Sequence, residues 1–181
     1  MSAAPSIDMQ IASSRDLSAA QRQEILVLCS AAYEEDFSAY LEMLDPAMHL
    51  LVYADGLLVS HGAWVERELR AEAYGRLRCA YVEAIATLPE QQGRGYGSLV
   101  LSRMPSLFDD YDIAVLSPSA EAFYQRLGWE TWQGALSYRS PEGEEIATPE
   151  EQVMIHRLPR TPAWLDTRTA LSVDWRPLEV W

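Results

Sequence analysis

Three glycines stand close together in the middle of the chain, at Gly93, Gly95 and Gly97. The residues before them have the apolar composition of a strand, and the residues after them have the spacing of a helix. Glycines in such a turn allow unusual backbone angles and the close approach of a ligand. The N–H groups at the start of the helix favour an anion such as pyrophosphate. An ordinary loop or helix cap is the alternative that stays open at this point.

The spacing of these glycines argues against a dinucleotide-binding fold. That fold requires Gly-x-Gly-x-x-Gly after the first strand of a βαβ unit, whereas this turn falls in mid-chain. The run instead matches Gln/Arg-x-x-Gly-x-Gly, with Gln92, Gly95 and Gly97 at its fixed positions. This pattern resembles the acetyl-coenzyme A pyrophosphate loop of the Gcn5-related N-acetyltransferase (GNAT) superfamily. The later segment 123–129, which contains Tyr124 and Gly128, resembles a second motif of the same superfamily.

Further segments resemble one group within that superfamily, the aminoglycoside 2′-N-acetyltransferases. The likeness runs from about residue 20 to the last residue. It is carried by Glu35-Asp36-Phe37-Ser38, Met48-His49, the segment 81–86, Leu116-Ser117 and the closing Asp174-Trp175-Arg176 with Val180-Trp181. The chain departs from the pattern at Pro46-Ala47, where members carry Gly-Gly, and at Gln92, where Arg is common.

Acetyl transfer to an amine requires a neutral amine, a placed thioester, a donor for the oxyanion and a proton for the leaving thiolate. The resemblance implies that Glu83 acts as a base through water and that Tyr124 donates the proton. It also implies that the terminal carboxylate of Trp181 helps to hold the substrate. The backbone N–H of Ile85, in the same strand as Glu83, is the expected oxyanion donor. The residues alone leave open that Glu83 is a solvated edge-strand residue and that Tyr124 only packs in the core.

Two sets of residues complete the predicted site. The first is expected to bind the coenzyme: Ile85, Thr87, Gln92, Gly93, Arg94, Gly95, Tyr96, Gly97 and Ser98. The second is expected to bind the substrate, chiefly through charge-assisted hydrogen bonds from its ammonium groups: Asp36, Glu83, Ser117, Glu151, Asp174, Glu179 and Trp181. A solvated surface position is the alternative for each acid taken alone, and Ser117-Pro118 equally fits a turn and helix start.

The charge balance narrows the class of partner. The 181 residues include 27 acidic and 14 basic side chains, which gives a net charge of −13, and every basic residue is Arg. The lack of Lys excludes a phosphate-loop lysine and a lysine nucleophile. Such a negative charge argues against nucleic acid as a partner. It favours a cation such as an aminoglycoside, with roughly four positive charges, although it equally serves solubility.

Other patterns predict the compartment and exclude further chemistry. Apolar runs are too short to cross a bilayer and the N-terminus lacks a signal-peptide pattern, so we predict a soluble cytoplasmic protein with no membrane partner. Cys29 and Cys79 are predicted to be buried free thiols. The positions of His49, His61 and His156 do not have the spacing of metal ligands, so no metal is predicted.

Hydrophobic periodicity predicts the elements that position these residues. Helices are predicted at 17–33 with Ser18 as N-cap, and at 36–44, 97–104 and 120–127, the last closed by Gly128. Strands are predicted at 7–12, 48–53, 57–67, 77–88, 112–117, 129–138, 153–158 and 169–175, and 140–151 is predicted to be a solvated loop with five Glu. This order predicts an α/β (α+β) fold, a largely antiparallel central sheet flanked by helices, in one domain over 1–181. The resemblance implies the GNAT form, with splayed strands around an acyl-CoA cleft.

The leading functional hypothesis is acetyl-CoA-dependent acetylation of the 2′-amine of aminoglycosides, which gives antibiotic resistance. Another cationic small amine or a peptide N-terminus is the second hypothesis, because Pro46-Ala47 and the acidic loop leave room for it. A non-catalytic acyl-CoA-binding or antibiotic-binding module is the third. A homodimer is also suggested by apolar residues expected to be exposed in the C-terminal third: Trp129, Trp132, Trp164 and Trp175.

Overall fold

The structure is a computed structural model that describes residues 4–72 and 74–181. Its contacts divide the chain into two units, and strands β3 (Leu57–Ala71) and β4 (Gly75–Thr87) contribute residues to both. The first unit contains the described residues up to Val65 together with Val82–Met104, and the second contains the described residues of Glu66–Tyr81 and Pro105–Trp181. The prediction of a single domain stays a prediction.

The first unit begins with strand β1 (Ile7–Ser13) and two helices, α1 (Ala19–Tyr33) and α2 (Ser38–Met43). The Ser18 side chain accepts from the Gln21 N–H and the Gln21 side chain accepts from the Ser18 N–H, so the predicted N-cap is confirmed as a capping box. The buried residues of helix α1 are Ile25, Leu28 and Cys29, and they belong to one core cluster with strand residues such as Leu51 and Ala63.

The sheet of the first unit is antiparallel. Strand β2 (Met48–Ala54) pairs with β1 on one side and with β3 on the other. Asp55 and Gly56 join β2 to β3 with φ of 50° and 81°, the left-handed pair that a tight hairpin requires. Helix α3 (Tyr96–Arg103) follows β4 after a 3₁₀ turn at Pro89–Gln91. These elements confirm the predicted order in this half of the chain.

The second unit contains the remaining short elements. They are β5 (Ile113–Leu116), α4 (Glu121–Gln125), β6 (Glu130–Thr131), β7 (Leu136–Arg139), β8 (Glu145–Ala147), β9 (Met154–Arg157) and β10 (Leu171–Asp174). The strand order is β6-β9-β5-β4-β3-β10-β7-β8. Pairing is parallel between β4 and β5 and between β10 and β7, and antiparallel between β5 and β9, β6 and β9, β7 and β8, and β10 and β3.

The fold class is confirmed: the protein is a mixed α+β structure with a mostly antiparallel central sheet and flanking helices. The parallel ladder with β5 covers Cys79–Tyr81 of β4, and β4 continues from there to Thr87. Both cysteines are free and buried, as predicted. No helix within the described ranges is long and apolar enough to cross a membrane.

Three sequence predictions in the C-terminal third are wrong. The stretch 140–151 is not all loop, because β8 within it pairs with β7; its three residues are exposed, so backbone pairing rather than burial forms this strand. The single strand predicted at 129–138 is two strands, interrupted at Gly134, where a Cβ would lie 1.8 Å from the Thr169 carbonyl oxygen. Trp129 and Trp132 are buried, so only Trp164 and Trp175 are exposed among the four tryptophans taken to suggest a dimer.

Candidate functional site

The glycine run forms an exposed turn that leads into α3. Gly93 and Gly95 have φ of 74° and 87°, and Gly95 is the N-cap of α3. A Cβ on either glycine would meet no atom within 4 Å, so the left-handed backbone, and not crowding, requires glycine there. Gly95 has no side chain to cap the helix, so the first-turn N–H groups of α3 receive no side-chain cap from their N-cap residue. This turn and the exposed Arg94 beside it fit a phosphate-bearing ligand.

Hydrogen bonds fix the end of β4 just before this turn. The Ser60 hydroxyl donates to the Ala86 carbonyl over 2.8 Å and lies 2.8 Å from the Thr87 hydroxyl oxygen. The Gln92 side-chain amide donates to the Thr87 carbonyl over 3.4 Å. The predicted coenzyme-binding residues Thr87 and Gln92 are therefore joined to each other directly.

Packing against β3 fixes helix α3 from the other side. A Cβ built on Gly62 of β3 would lie 2.7 Å from the Ile85 Cδ1 atom and 2.8 Å from the Val100 Cγ1 atom. Only glycine therefore lets Val100 of α3 and Ile85 of β4 approach β3 this closely. The position of the glycine turn thus depends on a glycine that lies outside the predicted motif.

Glu83 lies in β4 and its side chain is 7% exposed. The Tyr40 hydroxyl, on α2, donates a hydrogen bond of 2.6 Å to the Glu83 Oε2 atom. The interpretation of Glu83 as a solvated edge-strand residue is therefore wrong. A buried carboxylate next to a phenol is chemically suited to accept a proton in a water-poor setting.

A row of three aromatic rings, Tyr33, Phe37 and Tyr40, connects the helices to β4. Phe37 lies between the two tyrosines, with ring centroids 4.5 Å from Tyr33 and 4.7 Å from Tyr40. The Tyr33 hydroxyl donates to the Ile85 carbonyl over 3.0 Å, while Tyr40 binds Glu83. Sequence reasoning missed this aromatic row, because its three members lie on the end of α1, the N-cap of α2 and α2 itself, and no single-helix spacing relates them.

The residue between Glu83 and Ile85 has an unusual backbone. Ala84 has φ of 50°, which is rare for a residue with a side chain, and it interrupts the regular geometry of β4. Its carbonyl oxygen lies 3.0 Å from the Nδ1 atom of the buried His61. Glu83 and Ile85 thus lie on either side of an irregularity in β4. Irregularities of this kind often change the direction of the adjacent side chains.

Two buried histidines belong to the same unit and were not predicted as part of the site. The His49 Nδ1 atom lies 3.0 Å from the His61 Nε2 atom. Burial first, and then the charge of Arg22, lowers the pKa of His49 to about 4. Burial, and then His49, lowers the pKa of His61 to about 3. Both rings are therefore neutral near neutral pH.

Asp36 is exposed between α1 and α2. Its Oδ1 atom accepts from the Ser38 N–H over 3.0 Å, and hydrogen bonds from Ser38 lower the pKa of the Asp36 carboxyl. Asp36 is thus ionised and placed in the same segment as the aromatic row. Its role toward a substrate stays a prediction.

The second unit contains the remaining predicted residues. Tyr124 is buried on α4, and its burial raises the pKa of its phenol, while a hydrogen bond with Ser119 opposes that shift. The phenol is therefore protonated at neutral pH and retains a proton to donate. A tyrosine that only packs in the core would be buried in the same way, so the role of Tyr124 as acid stays a prediction.

Trp181 is 1% exposed, and its indole N–H donates to the Thr148 hydroxyl over 2.9 Å. The Arg67 guanidinium donates to the Val180 carbonyl over 2.6 Å, next to it. The side chain of Trp181 therefore anchors the chain end within the second unit. The role predicted for its carboxylate stays a prediction.

The other predicted substrate contacts of the second unit differ in their surroundings. Asp174 forms an ion pair of 2.8 Å with Arg70, whose hydrogen bond lowers the pKa of the Asp174 carboxyl. The Ser117 hydroxyl donates to the Gln152 carbonyl over 3.2 Å. Glu151 and Glu179 are exposed. Among the residues of 4–72 and 74–181, no three His, Cys, Asp or Glu side chains are grouped to hold a metal ion.

Comparison with known proteins gives these features a family. Residues 13–132 match the family described as acetyltransferase (GNAT) domain. The chain is 34% identical, over 173 residues, to an aminoglycoside 2′-N-acetyltransferase of Mycolicibacterium fortuitum; the match covers 92% of this chain and 88% of the relative.

Solved structures share the fold at low sequence identity. A GNAT family N-acetyltransferase of Escherichia coli, solved in complex with CoA, matches with a TM-score of 0.63 and 17% identity, over 96% of this chain and 93% of that one. Eis1 from Mycobacterium abscessus matches with a TM-score of 0.61 and 19% identity, over 73% of this chain. That match covers only 33% of the Eis1 chain, so this protein is similar to about a third of it. By its match over residues 13–132 and its 34% identity to a curated relative, the chain belongs to the GNAT acetyltransferase family.

Proposed function

We propose that this protein transfers the acetyl group of acetyl-CoA to the 2′-amino group of an aminoglycoside, and that this reaction gives antibiotic resistance. The observation that carries the proposal is the buried Glu83 carboxylate, held by Tyr40 in the strand that leads to the glycine turn. The choice of acceptor is supported by the 34% identity to a named aminoglycoside 2′-N-acetyltransferase.

The glycine turn and its flanking residues are assigned to the coenzyme. N–H groups at the start of α3 and the Arg94 guanidinium bind the pyrophosphate, because both carry positive charge at an exposed turn. Backbone groups of Ile85 and Thr87 bind the pantetheine arm along β4. These contacts hold the thioester in place, which removes much of the entropic cost of a two-substrate reaction.

Glu83 is assigned as the base that receives a proton from the acceptor amine, through water. An aminoglycoside amine is mostly protonated near neutral pH, so a base is needed before the nitrogen can attack the thioester carbonyl. The new C–N bond forms as the C–S bond breaks, and the Ile85 N–H stabilises the charge that develops on the carbonyl oxygen. Tyr124 is assigned to protonate the departing thiolate of coenzyme A.

Acidic residues are assigned to the polycationic acceptor. Asp36, Glu151 and Glu179 are exposed and can meet ammonium groups, whereas Asp174 must share its carboxylate with Arg70. The net charge of −13 raises the local concentration of a cation by long-range attraction. This electrostatic term is expected to weaken with added salt.

A matched pair of acceptors tests the proposal. Kanamycin B has an amine at the 2′ position where kanamycin A has a hydroxyl, so only kanamycin B should release free coenzyme A thiol from acetyl-CoA. Ellman's reagent can detect that thiol, because Cys29 and Cys79 of the enzyme are buried. If the protein acetylates both kanamycins equally, or prefers simple polyamines to them, the 2′-amine is not its acceptor and another cationic amine takes that place.

A further inference from the structure

A chain of buried hydrogen bonds leads from Ser14, the residue after β1, to the Ala84–Ile85 peptide of β4. The Ser14 hydroxyl oxygen lies 3.0 Å from His49 Nε2, His49 Nδ1 lies 3.0 Å from His61 Nε2, and His61 Nδ1 lies 3.0 Å from the Ala84 carbonyl oxygen. Ser14, His49 and His61 are all buried, and His61 is fully so. Nothing in the assignment of the coenzyme or the acceptor uses this chain.

The donor and acceptor of each hydrogen bond in this chain can be assigned by starting from its last group, the Ala84 carbonyl. A carbonyl oxygen only accepts, so His61 Nδ1 carries the proton that it shares with Ala84. His61 is a neutral ring, so its Nε2 accepts, and His49 Nδ1 must donate to it. His49 is neutral by the same reasoning, so its Nε2 accepts from the Ser14 hydroxyl over 3.0 Å, the shorter of the two contacts open to that proton, since the Ala47 carbonyl oxygen lies 3.1 Å away. The Ser14 hydroxyl oxygen itself accepts from the Ala47 N–H over 2.9 Å.

The donors therefore all point toward β4. Hydrogen bonds in such a row polarise one another, and the effect is greatest where water is excluded. The Cys29 sulfur lies 3.6 Å from His61 Nδ1 as well, and burial raises the pKa of that thiol to about 12, so it brings no negative charge to the row.

The geometry of a peptide bond connects this row to the predicted oxyanion donor. The Ala84 carbonyl and the Ile85 N–H belong to one trans peptide group and point in opposite directions. A donor that holds the carbonyl on one side therefore aims the N–H to the other. Tyr33 holds the next carbonyl, that of Ile85, so both peptide groups around Ile85 are fixed.

We propose that His61 is a positioning residue of the acetyl-transfer reaction, which holds the left-handed Ala84 turn and thereby aims and polarises the Ile85 N–H as oxyanion donor. His49 and Ser14 act through His61 by fixing its tautomer. This inference rests on the proposed acetyl transfer, although the orientation of the Ile85 N–H can be measured without it.

Two substitutions of His61 distinguish the effect of its N–H donor from the effect of its side-chain volume. His61→Asn retains an N–H donor close to the position of Nδ1, and His61→Leu retains similar volume without a donor. We expect kcat to fall by about tenfold or more in His61→Leu, with KM for acetyl-CoA changed by less than about threefold, because only the transition state needs the oriented N–H. His61→Asn should recover most of the lost kcat.

Amide NMR of the coenzyme-free protein gives a readout that does not depend on turnover. The Ile85 amide proton should move to lower chemical shift in His61→Leu and stay near its wild-type position in His61→Asn. His156→Leu is the matched control, since His156 Nδ1 also lies 3.0 Å from a backbone carbonyl, that of Arg157. That control should leave the Ile85 amide proton unmoved.

An unmoved Ile85 amide in folded His61→Leu, or equal loss of kcat in the Leu and Asn variants, would overturn the role of His61. If the wild-type protein acetylates no amine at all, the proposed function fails, and the amide shifts alone then decide whether His61 aims the Ile85 N–H.

Discussion

The Tyr40 hydroxyl donates to the Glu83 Oε2 atom over 2.6 Å, the length of a strong hydrogen bond to a carboxylate. This contact joins the first residues of α2 to the middle of β4, two segments that lie more than 40 residues apart in sequence. The carboxylate that it holds is buried, as are Val82 and Ala84 on either side of Glu83 in β4. Orientation of Glu83 therefore depends on a tyrosine outside the sequence motifs.

The first prediction concerns this pair. Tyr40→Phe should lower kcat by about tenfold, because it loosens the orientation of the base, and Glu83→Gln should lower kcat by about a hundredfold or more, because it removes the base. Steady-state kinetics with acetyl-CoA and kanamycin B would measure both effects.

A matched control exists on the surface of the same unit. Tyr53 donates to Glu24 over 3.1 Å, so Tyr53→Phe removes the same kind of bond at an exposed position. It should leave kcat unchanged. Wild-type kcat in Tyr40→Phe, or an equal loss in both tyrosine variants, would contradict a specific role for Tyr40.

The second prediction concerns the glycine turn. Gly95→Ala places a side chain on a residue with φ of 87°, and it should cost about 1–2 kcal/mol of stability and raise KM for acetyl-CoA. Gly56→Ala is its control, because Gly56 has φ of 81° and is equally uncrowded, but lies in the β2–β3 hairpin. The two variants should lose similar stability in urea unfolding, and only Gly95→Ala should bind coenzyme A more weakly in calorimetry. Equal coenzyme affinity in both would remove the turn from the binding site.

Local signals made much of the fold predictable from sequence. Ser18 with Gln21 marks the start of α1, and Asp55-Gly56 marks the β2–β3 hairpin, because caps and tight turns depend on a few neighbouring residues. The glycine turn was predictable for the same reason. Strand β8 was not, since Glu145–Ala147 is exposed and forms only because β7 offers its backbone as a partner.

Long-range contacts account for what sequence reasoning missed in the site. The burial of Glu83 beside Tyr40 and the row from Ser14 to Ala84 each join residues that are far apart in the chain. His49 and His61 lack the spacing of metal ligands, but spacing carries no information about a hydrogen-bonded pair across two strands. A left-handed alanine such as Ala84 likewise has no signature in its own residue type.

The third prediction concerns the contact that positions α3. Gly62→Ala would force Ile85 and Val100 away from β3, because the new Cβ would lie within 2.8 Å of both side chains. Such overpacking should cost about 1–3 kcal/mol of unfolding free energy. It should also weaken coenzyme A binding, because the first turn of α3 moves with Val100. Full stability and unchanged affinity would mean that α3 is not held by this contact.

The fourth prediction concerns the pH dependence of stability. Burial holds the pKa of His49 at about 4 and that of His61 at about 3 in the folded protein, against about 6.5 for histidine in an unfolded chain. Well above pH 6.5 both states carry neutral rings, so the two histidines add almost no pH dependence there. As the pH falls from 6.5 toward 4, the unfolded chain takes up protons that the folded protein does not. The free energy of unfolding should therefore fall, by up to about 1.4 kcal/mol per pH unit for each histidine.

Urea unfolding at several pH values between about 7 and about 5 measures this slope. The pKa values of the Asp36 and Asp174 carboxyls are lowered in the fold, so these two groups titrate below this range. Replacement of both His49 and His61 by Asn should flatten the slope, whereas His156→Asn should retain it. A slope that persists in the double variant would show that the buried pair is not the origin of the acid sensitivity, because asparagine has no proton to gain in this range.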